Sequence, residues 1–123
     1  GSGSKLCQQY RAVARALFRD ARRDPALWRF IFGMMWQTPT VPAAHELFPH
    51  SYGHAMDLLA QALEAAVERG ELPRGNAELR VLAFAGALAE AISRFLILGR
   101  PALTDRLADS LVDTVIHGWK TEK

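Results

Sequence analysis

The stretch that decides the fold is Asn76–Gly99, NAELRVLAFAGALAEAISRFLILG. Asn76 suits an N-cap, since its side-chain oxygen can accept an orphan amide of the first turn. Gly99 suits a stop, because glycine closes a helix end at no steric cost. The residues between them read as a helix over about Ala77–Leu98. On a helical wheel, Val81, Phe84, Ala85, Leu88, Ile92 and Phe95 make a bulky side. Ala83, Gly86, Ala87 and Glu90 make a small side opposite. Bulky residues fill a core, and small ones let another helix approach closely. Charge is scarce on both, so the helix is expected to be covered on both sides.

The rest of the chain reads the same way. Alternating β-branched runs and Asn-Gly hairpins are missing, which removes the strand signals. The expected class is all-α: a helical bundle of five main helices plus one short helical turn. The first helix covers about Lys5–Arg23, with Leu6, Tyr10, Val13, Leu17 and Ala21 on one face and Arg11, Arg15, Arg19 and Arg22 on the other. The bland reading of that arginine row, a solvated face, is preferred over phosphate contact. The second covers about Pro25–Gln37, capped by Asp24. It lies within DPALWRFIFGMMWQTP (Asp24–Pro39), which is apolar nearly all the way round.

Prolines at 39, 42 and 49 then limit the chain to one helical turn around Ala43–Phe48. A third long helix follows over about Tyr52–Arg69, with Gly70 as its stop. Its expected core face is Ala55, Leu58, Leu59, Ala62, Leu63, Ala66 and Val67. The last helix covers about Asp105–Trp119, with Thr104 as N-cap and Leu103 placed to staple against Ala108.

That last helix carries two apolar stripes, Leu107 and Leu111 beside Ala108, Val112, Val115 and Trp119. One helix on a monomer core needs an arc of about 100°, and this arc is wider. A second copy of the last two helices is the simplest cover, since two-fold dimers are the commonest oligomers.

Length and charge bound the function. The 123 residues make one domain, with Gly1–Ser4 read as a linker or tag remnant and 5–123 as the folded unit. The single cysteine excludes an intrachain disulfide and a cysteine-based zinc site, and suits a reducing, cytoplasmic setting. The longest near-unbroken apolar run, Val81 to Ile92 past Glu90, is shorter than the ~20 residues of a membrane span. Residues 5–29 hold seven Lys/Arg against two Asp, and the rest hold eight against eleven acidic residues, so the basic part is N-terminal.

Catalysis and metal binding find little footing. His45-Glu46 with His50 is not the helical zinc spacing, and His50/His54 alone is a loose pair. Ser51, His54 and Asp57 form a nucleophile set by composition only. No catalytic residue, metal site or cofactor is expected.

The order of elements carries a resemblance. A basic helix, an aromatic-rich helix and a proline-broken piece precede a long helix ending in AAVERGELP (Ala65–Pro73). A buried alanine-rich helix follows, and then LGRPALTDRLADSLVDTVIHGW (Leu98–Trp119). Over about Lys5–Trp119 this resembles the C-terminal domain of TetR-family transcriptional regulators. The resemblance implies an effector-binding and dimerisation domain. Its last two long helices would pair with their copies as a four-helix interface.

On this chain the interface would use Ala83, Gly86, Ala87, Glu90, Arg94, Ala108, Val112, Val115 and Trp119. Glu90 with Arg94 reads either as an interface pair or as a polar handle for a ligand. The implied pocket lies among the earlier helices and takes a small, largely apolar or aromatic effector. Trp28, Phe32, Met35 and Trp36 would wall it, Leu58, Phe84 and Leu88 would close it, and His54 and Gln61 would orient the ligand. DNA would be reached only through a helix-turn-helix domain that nothing before Lys5 supplies.

Overall fold

The computed structural model describes residues 4–37 and 42–121, and side chains outside 36–52. Five helices follow one another: α1 (Lys5–Arg23), α2 (Pro25–Gln37), α3 (Pro42–Glu68), α4 (Ala77–Leu98) and α5 (Asp105–Lys120). No strand occurs among the described residues.

The caps explain the boundaries. Asn76 accepts the Leu79 amide at 3.0 Å and Thr104 Oγ1 accepts the Leu107 amide at 3.0 Å. Asp24 accepts the Leu27 amide at 3.1 Å. Gly99 ends α4 in the left-handed region at φ 74°, its amide bonded to the Phe95 carbonyl. Ser4 is the N-cap of α1, its hydroxyl accepting the Cys7 amide at 3.2 Å.

α3 is a correction. The expected turn and the expected third helix are one helix of 27 residues. Pro42 stands at its first position, where a missing amide costs nothing. Pro49 removes a single interior bond, and the helix runs through it. Two residues expected on the core face of α3, Ala55 and Leu58, are exposed, while Leu63 and Ala66 are buried.

α1 and α5 pack antiparallel, joined by a ladder of ion pairs. Arg15 Nε donates to Asp109 at 2.8 Å and Arg19 Nε to Asp105 at 3.0 Å. Arg11 holds Asp113 through Nε and Nη2, and Arg22 donates to the Leu103 carbonyl at 2.7 Å. The arginine row is therefore a paired seam rather than a plain solvated face. Each step of four along α1 meets a step of four backwards along α5, which brings successive partners onto one side of each helix. The α1 core face is turned accordingly, with Ala14 and Phe18 buried and Val13 and Leu17 only half-buried.

The centre is filled by rings. Tyr10 and Phe84 lie 4.4 Å apart, and Tyr10 meets Trp119 edge-on at 6.0 Å. The Tyr10 hydroxyl donates to the Leu59 carbonyl at 2.8 Å, so its polar tip is satisfied.

α4 runs through the middle, burying Val81, Phe84, Leu88, Ala91, Ile92 and Leu96. At 22 residues it is long and apolar enough to cross a membrane, unlike the shorter run read from the sequence. Here its buried face serves the bundle core. The wide arc of α5 is covered in part within the chain. Ala108, Val112 and Trp119 are core residues, and Leu107, Leu111 and Val115 are half-buried against that core.

Candidate functional site

The aromatic helix α2 lies across α4 and is tied there by polar bonds. Arg29 Nη2 donates to the Leu96 carbonyl at 3.1 Å, satisfying one orphan acceptor at the α4 C-terminus. Trp28 Nε1 donates to Asp20 at 2.8 Å, which fixes α2 against α1. Trp28 in turn meets Phe32 edge-on at 5.9 Å.

Beside these anchors, α2 and α4 leave a half-open groove of about 250 Å³, lined by Phe32, Met35, Ala89 and Ser93. A second depression of about 180 Å³ adjoins it, lined by Arg29, Phe32, Gly33, Ser93, Leu96 and Ile97. Phe32 and Ser93 belong to both, so the two are one trough. Its walls are apolar, with the Ser93 hydroxyl and the Arg29 guanidinium as polar points. That is the composition of a site for a small apolar or aromatic molecule. A separate depression beside the α3–α4 turn is walled by Leu63, Val67 and Ala77 with Glu64, Glu68, Arg74 and Arg80. It carries two charges of each sign.

The expected wall residues divide. Phe32 and Met35 come together in the trough, with Trp28 one ring behind. Phe84 and Leu88 do not reach it, because both are buried in the core. His54, Leu58 and Gln61 are exposed on α3 and line none of these depressions. The Trp36 side chain, like those of His45, Glu46, His50 and Ser51, lies outside the described ones. Arg29, Gly33, Ala89, Ser93, Leu96 and Ile97 were not expected. Their signal was present: Ala89, Ser93 and Ile97 recur at four-residue steps on one side of α4.

The expected interface residues divide too. Ala83, Gly86, Glu90 and Arg94 are exposed and Ala87 is half-buried. Arg94 Nε donates to Glu90 at 2.8 Å within the helix. Ala108, Val112 and Trp119 present no surface to a partner, and Val115 little. The wheel missed three large neighbours of the small side: Leu79, Leu82 and Ile97 stand 60%, 66% and 79% exposed. Large apolar side chains thus stand outward towards both ends of α4, with the exposed Glu90 and Arg94 between them and the trough along one edge.

No protein-family model, curated protein or solved structure matches the chain.

Proposed function

We propose that the chain is the effector-binding and homodimerising domain of a TetR-like transcriptional repressor. The effector is a small, largely apolar or aromatic molecule held in the trough between α2 and α4. The observation that carries this reading is the trough itself, where Phe32 and Met35 face Ala89 and Ser93 with the mouth open. Five helices in the order implied by the resemblance support it. So do Leu79, Leu82 and Ile97, large apolar residues exposed on α4, since apolar surface left bare marks an interaction site.

The mechanism is a population shift. A ligand wedged between α2 and α4 favours one spacing of these helices, and can act only through a difference in affinity between two states. α1, clamped to α5 by its arginines, would pass that shift to a DNA-binding domain outside this chain.

A second reading, a structural dimerisation module with a dry core, has one observation in its favour. The bundle centre is filled by Tyr10, Phe84 and Trp119. The two readings separate on binding of 1-anilinonaphthalene-8-sulfonate, an aromatic fluorescent anion. The effector reading expects saturable binding that Ala89→Trp, which fills the trough, abolishes. Equal binding by the variant, or none by either protein, leaves the structural module.

A further inference from the structure

We infer that the effector is an apolar monocarboxylate, whose head pairs with Arg29 and whose body lies along the trough towards Met35. The inference rests on the effector-domain reading and adds the class of molecule the site selects.

The trough has two unlike ends. Arg29, Leu96 and Ile97 line one, and Met35 and Ala89 line the other. Phe32 and Ser93 are common to both. From Ala89 to Ile97 the α4 helix rises about 12 Å. A molecule filling that length meets a cation at one end and only apolar side chains at the other.

The cation is held ready. Arg29 Nε and Nη2 both donate to the Leu96 carbonyl, at 3.4 and 3.1 Å. That contact occupies one edge of the guanidinium and limits its swing. Beyond it, Arg29 makes no hydrogen bond or ion pair among the described residues, so the edge formed by Nη1 and Nη2 is open. Such a fork of N–H groups matches the two oxygens of a carboxylate.

The surrounding charge sets the sign of the head. No acidic residue lines either end of the trough. Glu90, on the adjoining side of α4, is already paired with Arg94 at 2.8 Å. The C-terminus of α4 contributes about half a negative charge, less than the full positive charge of the guanidinium. A net positive end remains, and one anionic head offsets it. Ser93, half-buried midway along the trough, adds a hydroxyl donor. A phosphate monoester carries close to two negative charges and would leave one unmatched. An apolar amine would be repelled.

The test uses N-phenyl-1-naphthylamine, a neutral fluorescent reporter, bound to the full chain. It is displaced by naphthalene-1-acetate or by naphthalene-1-acetamide, which share their rings and differ in the charge of the head. The acid is expected to displace the reporter at about tenfold lower concentration than the amide. Arg29→Met, its fold checked by circular dichroism, should bring the two within about twofold, and Arg29→Lys should keep most of the preference. Loss of the Leu96 contact alone would weaken both competitors alike, so the acid-to-amide ratio reads the head contact. A ratio near one in the unmodified chain, or one that Arg29→Met leaves unchanged, overturns the inference. In that case, reporter binding that Ala89→Trp abolishes still leaves the effector reading intact. No reporter binding, or binding unaffected by Ala89→Trp, overturns both.

Discussion

Arg11 and Asp113 are joined across α1 and α5 by three contacts: Nε and Nη2 to Oδ1 at 3.0 and 2.7 Å, and Nη2 to Oδ2 at 2.6 Å. The pair is the top rung of the ladder that continues through Arg15–Asp109 and Arg19–Asp105. Charge alone does not fix this register. Arg23 continues the same four-residue row, so a slip of one turn would pair Arg15, Arg19 and Arg23 with Asp113, Asp109 and Asp105. The core forbids it. Such a slip drives Phe18 into the space of Ala14, both fully buried, and leaves Ala14 where Tyr10 belongs.

The ladder predicts a charge-swap cycle. Arg15→Asp and Asp109→Arg should each lower the melting temperature, since each sets like charges together. The double swap should recover most of the loss. A double swap as unstable as the sum of the singles would show that the two residues do not interact.

Its pH dependence has a definite sign. Asp105, Asp109 and Asp113 are held below the usual carboxylate range, first by the hydrogen bonds from Arg19, Arg15 and Arg11. A lowered folded pKa gives stability that is fully present above the unfolded value of about 4 and is lost as pH falls through the folded values. Thermal melts should therefore fall as pH drops below about 4. Replacing all three with asparagine should lower stability at neutral pH and shrink that acid loss. An unchanged acid slope would contradict the ladder's role.

Cys7 should be chemically quiet in the folded chain. It is 2% exposed. Burial first, and then its hydrogen bond to Asp113, push its thiol pKa up. The reactive species is the thiolate, so iodoacetamide should label it slowly until denaturant is added. Fast labelling of the native protein would mean that the α1–α5 seam opens readily.

Core and surface leucine-sized residues should part by denaturant melts. Phe84→Ala, stripped from contact with Tyr10, should cost about 3–5 kcal/mol. Leu58→Ala, 52% exposed, should stay within about 1 kcal/mol. Similar losses at both positions would contradict the placement of α3.

Much of this was legible in the sequence because its signals were local. The starts of α2, α4 and α5 and the end of α4 follow from Asp24, Asn76, Thr104 and Gly99, caps and stops that act over three or four residues. Pro49 misled because one lost bond was weighed without the length of helix on either side. α5 was legible in part: Ala108, Val112 and Trp119 face the core of their own chain and Leu107, Leu111 and Val115 are half-buried, and a wheel cannot tell a neighbour in the same chain from one in another. The trough was half legible. Phe32 and Met35 advertised themselves as excess apolar surface, but their opposite wall is Ala89 and Ser93, small residues that leave space rather than fill it.

Sedimentation velocity of the unmodified chain at micromolar concentration tests the central claim most directly. The account predicts a species of twice the 13.6 kDa chain mass. A single monomeric species across the whole concentration range would contradict it, leaving Leu79, Leu82 and Ile97 as bare surface.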